Sequence, residues 1–166
     1  WTVIQRRMDG SVDFNRNWTE YREGFGDLRG EFFIGLEKLH LITKSQPHDL
    51  YIYLKNFQGE HRYNAYDNFI IGNETELYQL KYMDDYYGTA RDALRRHKYM
   101  EFSTPDRGGC AEIFQSGWWF HSCYDSNLNG IYNENARKID EPGVKWHSWT
   151  DNSLKFVQMM IRPKYK

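Results

Sequence analysis

Residues 108–130, GGCAEIFQSGWWFHSCYDSNLNG, hold both cysteines of the chain and show neither a helical nor a strand period. Cys110 and Cys123 bracket twelve residues that include Gly117-Trp118-Trp119-Phe120, and Ser126-Asn127-Leu128-Asn129-Gly130 follows. So irregular a stretch buries little aliphatic surface, while ordering it costs about 1–2 kcal/mol per residue. It needs fastening. Two readings stand: a pair of buried reduced thiols, or a bridge that closes a loop of about 14 residues and stabilises by roughly 3 kcal/mol. The sequons Asn17-Trp18-Thr19 and Asn73-Glu74-Thr75 point towards secretion, where a bridge is permitted.

At 166 residues the chain has the length of one domain. Aromatic side chains make up 17 % of it, so flat rings with polar ends supply much of the core. A formal net charge of −1 provides no field to gather nucleic acid or an anionic membrane. No apolar run approaches the roughly 20 residues of a membrane span; Phe-Phe-Ile-Gly-Leu at 32–36 is among the longest. The chain opens on Trp1-Thr2-Val3-Ile4-Gln5, which has the pattern of mid-strand, and is expected to be a mature piece of a longer polypeptide.

The pattern WTVIQRRMDGSVDF predicts two strands joined by a tight turn at Asp9-Gly10. NWTEYREGFG predicts a short helix with Asn17 as N-cap, Glu20 completing a capping box, and Gly24 or Gly26 at its end. Phe33, Leu36, Leu39 and Leu41 lie near helical spacing and predict a second helix. From Leu50 the period becomes two. DLYIYLKNF, HRYNAYDNFII and ELYQLKYM predict three strands, the first two joined at Gln58-Gly59, and TARDALRRH predicts a brief helix.

Catalytic patterns are weak. The 6 histidines form no i, i+4 pair around a carboxylate, and no Cys-x-x-Cys is present for zinc. His121-Ser122-Cys123 are adjacent in sequence and so do not face one another, and no Gly-x-Ser-x-Gly elbow occurs. Asp84-Asp85 fits a solvated turn. What remains is a display of rings in a polar loop: Trp118, Trp119, Phe120 and Tyr124, then Trp146 and Trp149. Such rings form either the core of a loop-rich unit or the wall of a pocket, which suits a methyl or acetyl group.

The segments WTVIQRRMDGSVDFNRNWTEYREGFGDLRGEFFIGLEKLHLIT, YGTARDAL, MEFSTPD, CAEIFQSGWWFHSCYDSNLNGIY and SLKFVQMMIRP, in that order, resemble the fibrinogen-related domains of fibrinogen chains, ficolins, tachylectins, angiopoietins and tenascins. The resemblance implies a secreted, extracellular α+β fold: a central twisted, mainly antiparallel sheet with short flanking helices, and a loop-rich C-terminal binding subdomain. On this reading residues 1–100 form the core and 101–166 the binding subdomain, with the family's N-terminal subdomain preceding Trp1. It implies a Cys110–Cys123 disulfide beside the ligand pocket, a cis peptide at Ser122–Cys123, and oligomers assembled through the N-terminal region.

Position by position, the family's pocket residues fall on Phe114, often Tyr in acetyl-binding members, on Tyr124, often His, and near Asp140 and Glu141. Trp119, His121 and Ser122 complete the expected ligand-binding surface, and Asn17 and Asn73 the expected glycosylation sites. The family's calcium loop is shortened here. Only Arg107, Gly108 and Gly109 separate Asp106 from Cys110, so no calcium is expected where an ion needs 6–8 oxygens. Ile113 and Phe114 replace the polar pair of peptide-recognising members. The resemblance therefore implies a non-enzymatic, lectin-like module that binds glycans or acetylated groups in innate immunity. Its alternative is a protein–protein ligand domain for a cell-surface receptor in adhesion or developmental signalling.

Overall fold

The computed structural model describes residues 1–165. In chain order the elements are β1 (Thr2–Arg7), α1 (Trp18–Glu23), β2 (Phe25–Gly26), β3 (Phe32–Phe33), α2 (Leu36–Ser45), β4 (His48–Lys55), β5 (His61–Tyr66), β6 (Ile70–Ile71), β7 (Leu80–Tyr82), β8 (Tyr86–Gly88), α3 (Gly109–Phe114), β9 (Ser126–Asn127), β10 (Lys145–Trp146) and β11 (Phe156–Pro163). Seven strands form an antiparallel sheet in the order β2-β3-β1-β11-β4-β5-β8. Two small two-stranded sheets, β6-β7 and β9-β10, stand outside it.

The sheet is the part of the fold that its sequence period states most directly. In β4 the residues His48, Leu50, Ile52 and Leu54 are buried, alternating with half-buried Asp49, Tyr51, Tyr53 and Lys55. The facing register Leu54 to Val157, Ile52 to Met159 and Leu50 to Ile161 puts aliphatic side chains of two strands on one face. Leu36 and Leu39 of α2 and Tyr21 of α1 join the same cluster. β11 sits between β1 and β4, so the last strand of the chain is the centre of the sheet rather than part of the loop-rich half.

Several local expectations hold and others give way to tertiary contacts. Asn17 caps α1, accepting from Glu20 N–H at 2.9 Å while the Glu20 carboxylate accepts from Asn17 N–H at 3.2 Å. Gly24 ends the helix at φ +95°. The second helix starts at Leu36, because Phe32 and Phe33 pair with Arg6 and Gln5 of β1, and Leu41 lies exposed. The third strand of the 76–83 stretch shrinks to Leu80–Tyr82, after a 3₁₀ turn at Glu74–Glu76 capped by Asn73. In TARDALRRH only Arg95–His97 turn, as 3₁₀, because the Asp92 carboxylate takes the N–H groups of Leu94 and Arg95 and the Tyr66 hydroxyl.

Asp9-Gly10 makes no hairpin. The buried Glu31 carboxylate accepts from Met8, Asp9 and Gly10 N–H at 2.8, 3.2 and 3.1 Å on one oxygen and from Val12 N–H at 3.0 Å on the other. Those peptide groups are thereby satisfied without a partner strand. The same carboxylate lies 3.7 Å from Nε of Arg7, which is buried against the Phe14 ring and donates through Nη1 to the carbonyls of Leu128 and Gly130. Burial pulls the Arg7 pKa down to about 10, with the Glu31 charge opposing. Glu31→Gln leaves that guanidinium without a counter-charge and is expected to cost about 3–5 kcal/mol. Urea unfolding measures it, and a cost under about 1 kcal/mol would contradict this account of the turn.

Candidate functional site

Cys110 lies in the first turn of α3 and is bonded to Cys123, with the two Cα atoms 5.5 Å apart. The Ser122–Cys123 peptide is cis. The bridge pins the loop after α3 over a scaffold of fully buried polar side chains. Asn127 Nδ2 donates to the Ser116 hydroxyl at 2.9 Å, and Asn129 Nδ2 donates to the Gly117 carbonyl at 2.9 Å. Gln5 Nε2 in turn donates to Asn129 Oδ1 at 3.0 Å and to the Leu128 carbonyl at 2.8 Å. Ser-Asn-Leu-Asn-Gly is thus the clip between loop and sheet. Gly117 must be glycine, since a Cβ there would stand 2.7 Å from the Tyr21 ring.

The rings divide into core and surface. Trp118 and Trp119 are core. Trp118 bridges Ser103 through paired backbone bonds of 3.0 and 3.1 Å. Trp119 is 1 % exposed, stacks edge-on against Phe102, and donates Nε1–H to the Tyr78 carbonyl at 2.8 Å. It cannot front on a ligand, and its expected place on the binding surface is corrected accordingly.

Phe114 and Tyr124 do come together beside the bridge, edge to face at 4.9 Å. Tyr124 also stacks on His147 at 5.2 Å and 12°, with Phe120 at 6.4 Å. Tyr124 is 8 % exposed and its hydroxyl has no hydrogen-bond partner among the described residues. Burial and then the charge of exposed Asp140 push its pKa up to about 12, so it stays a protonated donor.

His121 and Ser122 are exposed. The His121 ring lies 3.2 Å from the Arg96 carbonyl through Nδ1, and its backbone N–H donates to the Cys123 carbonyl at 2.7 Å. Glu141 is half-buried, and its charge acts on Lys145. Lys145 itself is 0 % exposed, and its ammonium donates to the carbonyls of Lys138 at 2.9 Å and Asp151 at 2.5 Å, fixing the loop that carries Asp140 and Glu141.

Sequence reasoning missed His147 and Lys145. Their signal was the extended stretch around buried Trp146, where successive side chains alternate in direction. Burial lowers the His147 pKa against the opposing charge of Asp151, whose Oδ1 lies 3.4 Å from Nδ1.

Asp106, the carboxylate left in the shortened loop, is already occupied. Its Oδ1 accepts from the Trp18 N–H at 3.1 Å and from the Thr104 hydroxyl at 2.6 Å, while Arg107 lies 3.8 Å over the Trp18 ring. One engaged carboxylate beside a cation and two glycines does not fit the oxygen cage a calcium ion requires.

A loop-rich, ring-walled surface pinned by one disulfide on a seven-stranded antiparallel sheet defines a recognition domain of the fibrinogen-like class. The family description for the C-terminal globular domain of fibrinogen beta and gamma chains matches residues 1–164, and the chain belongs to that family. It is 42 % identical to fibroleukin of Bos taurus over 99 % of its own length and 42 % of the relative's. It is 43 % identical to fibrinogen C domain-containing protein 1 of Mus musculus, over 98 % of this chain and 38 % of that protein. The chain thus spans about two-fifths of these relatives.

Among solved structures it superposes on the fibrinogen-like globe domain of human ANGPTL6 with a TM-score of 0.94 at 38 % identity, covering 100 % of this chain and 79 % of that one. A lamprey fibrin D-dimer complexed with the peptide Gly-His-Arg-Pro-amide matches with a TM-score of 0.90 at 38 % identity, covering 98 % and 61 %.

His97 gives the site a pH dependence. Its Nδ1 lies 2.6 Å from the Trp119 carbonyl, and its Nε2 accepts from the N–H groups of Asp125 and Ser126 at 3.1 and 3.3 Å. These roles require a neutral ring with the proton on Nδ1. Burial pulls its pKa from 6.5 down to about 4. Between those values the unfolded chain binds more protons, so stability is full above pH 6.5 and is lost as pH falls towards 4. The loss is expected to reach about 3 kcal/mol. Denaturant unfolding across that range, with the His97 ring titrated by NMR, checks it; a folded pKa near 6.5 would contradict it.

Proposed function

We propose that the domain is a non-enzymatic extracellular recognition module that takes a small acetylated group, such as that of an N-acetylated sugar, at the surface walled by Phe114, Tyr124 and His147. One observation carries the reading: the Tyr124 hydroxyl is a buried donor without a partner. A buried hydroxyl left unpaired costs about 1–3 kcal/mol, and a ligand carbonyl oxygen that displaces the atoms now covering it would recover that. The Phe114 edge and the His147 ring supply apolar contact for the methyl group, and exposed Asp140, whose charge reaches Tyr124, accepts from sugar hydroxyls. Single-site affinity is expected to be weak, with avidity coming from oligomers.

Tyr124→Phe is expected to weaken binding of N-acetylglucosamine to a multimerised domain by about tenfold, or about 1.4 kcal/mol. Folding stability should be unchanged or raised, because no protein partner is lost. A glycan array with calorimetry on the free sugar measures both, and the deacetylated sugar should bind no better than background. Silence on every acetylated ligand would move the reading to a protein–protein ligand domain for a cell-surface receptor. That reading is favoured by the departures at Phe114 and Tyr124 and by the half-buried ring row Tyr51, Tyr53, Tyr63 and Phe156 on the outer face of the sheet. Receptor binding that survives Phe114 and Tyr124 substitution would support it.

The segment from Thr104 to Cys110 is proposed to bind no calcium, because Asp106 holds α1 instead. Calorimetric titration with calcium is expected to give no saturable heat from micromolar to millimolar ion. Likewise, the ion should leave the melting temperature where it was. A saturable shift abolished by Asp106→Asn would overturn this.

A further inference from the structure

The two sequons take no part in the ring-walled surface, and the folded chain brings them together. Asn17 caps α1, and Asn73 caps the 3₁₀ turn Glu74–Glu76 in the same way. Each asparagine Oδ1 accepts the N–H three residues on, at 2.9 and 3.0 Å, and the glutamate of that residue returns to the asparagine N–H at 3.2 and 3.1 Å. Only the oxygen of each amide is used. Among the described residues neither Nδ2 has a protein partner, and Asn17, Thr19, Asn73 and Thr75 are all exposed.

The middle residues of the two sequons are bonded to each other: Trp18 Nε1 donates to the Glu74 carboxylate at 2.9 Å, and Arg22 reaches the same oxygen at 3.3 Å. The acceptors therefore sit as a fixed pair on one face. Beside them runs a groove of about 720 Å³ lined by Asn73, Thr75, Arg22, Glu37 and Lys38 among others. Its mixed charges present donors and acceptors of the kind sugar hydroxyls pair with, and it lacks an aromatic floor that would suit an apolar ligand.

We propose that Asn17 and Asn73 are paired N-glycan acceptors and that the first sugars on Asn73 lie in this groove, closing that face to docking partners. The co-reactant is a lipid pyrophosphate-linked oligosaccharide of the secretory pathway. The bond from Nδ2 to the anomeric carbon forms as the bond from that carbon to the pyrophosphate oxygen breaks. The pyrophosphate leaves with the electron pair, one Nδ2 proton is released, and nothing is oxidised or reduced. The linkage consumes a hydrogen the fold does not use and spares the Oδ1 that caps each turn. Modification and capping are compatible.

The test uses the chain secreted from eukaryotic cells. Peptide mass spectrometry after amidase deglycosylation in heavy-oxygen water is expected to mark both Asn17 and Asn73. Thr19→Ala and Thr75→Ala should each remove one glycan while leaving the asparagine cap in place. Lys38 should react with an amine-acylating reagent several-fold faster in Thr75→Ala than in the parent protein. Unmodified Asn17 or Asn73 in the secreted parent protein would overturn the paired acceptors. With Asn73 occupied, equal labelling of Lys38 would overturn the groove assignment. Should a variant fail to secrete, site occupancy in the parent protein and Lys38 labelling before and after enzymatic glycan removal decide both points.

Discussion

Peptide groups buried away from a sheet still require partners, and the half of the molecule that carries the site meets this requirement with side chains. His97 takes a carbonyl on one side of the cis segment and two N–H groups on the other. Asn127 and Asn129 reach back across Ser116 and Gly117. Lys145 gathers the Lys138 carbonyl from the segment before it and the Asp151 carbonyl from the segment after it. Each stitch joins segments that follow no common period, so the surface has one conformation only while all are made. The Cys110–Cys123 bridge adds what these bonds cannot, a limit on how far the unfolded loop can wander.

The same arrangement explains which rings can meet a ligand. Trp118, Trp119 and Trp146 lie under the stitched backbone, and the indole N–H groups of Trp119 and Trp146 donate to carbonyls of distant segments. They are the floor. Phe114 and Tyr124 stand above it, held by α3 and by the residue after the bridge, and His147 closes on them from the strand that buries Trp146. Among the described residues the Tyr124 hydroxyl and the His147 Nδ1 are left as buried polar atoms of the site without a hydrogen-bond partner.

Legibility in the sequence followed the range of the forces. Strands β4 and β5 and the capping box of α1 were legible because period and cap are set by residues a few positions apart. The Asp9-Gly10 turn was misread because its N–H groups are taken by Glu31, some twenty residues on, a partner no local pattern announces. The brief helix expected over TARDALRRH was displaced by Asp92 in the same manner, with the Tyr66 hydroxyl as its distant partner. At the site, Cys110, Phe114, Cys123 and Tyr124 could be placed because family resemblance fixes their spacing. Lys145 and His147 could not, since a buried lysine looks like any surface lysine until its carbonyl partners fold around it. Trp119 showed the opposite error, a ring expected on the binding surface that lies in the floor.

Trp18 shows how the shortened loop is used. Its backbone N–H is held by Asp106, its ring is covered by Arg107 and its indole N–H is held by Glu74, so one residue joins α1, the segment after Thr104 and the turn after Asn73. The Trp18 and Arg22 bonds hold the Glu74 carboxyl below its usual pKa of 4.5, so this junction keeps its charge until the pH falls through that depressed value. His97 acts in the same sense, since burial pulls its pKa to about 4 and the loop-rich half loses stability as pH falls below 6.5. Falling pH therefore weakens both faces, one by protonating a carboxylate and the other by protonating an imidazole.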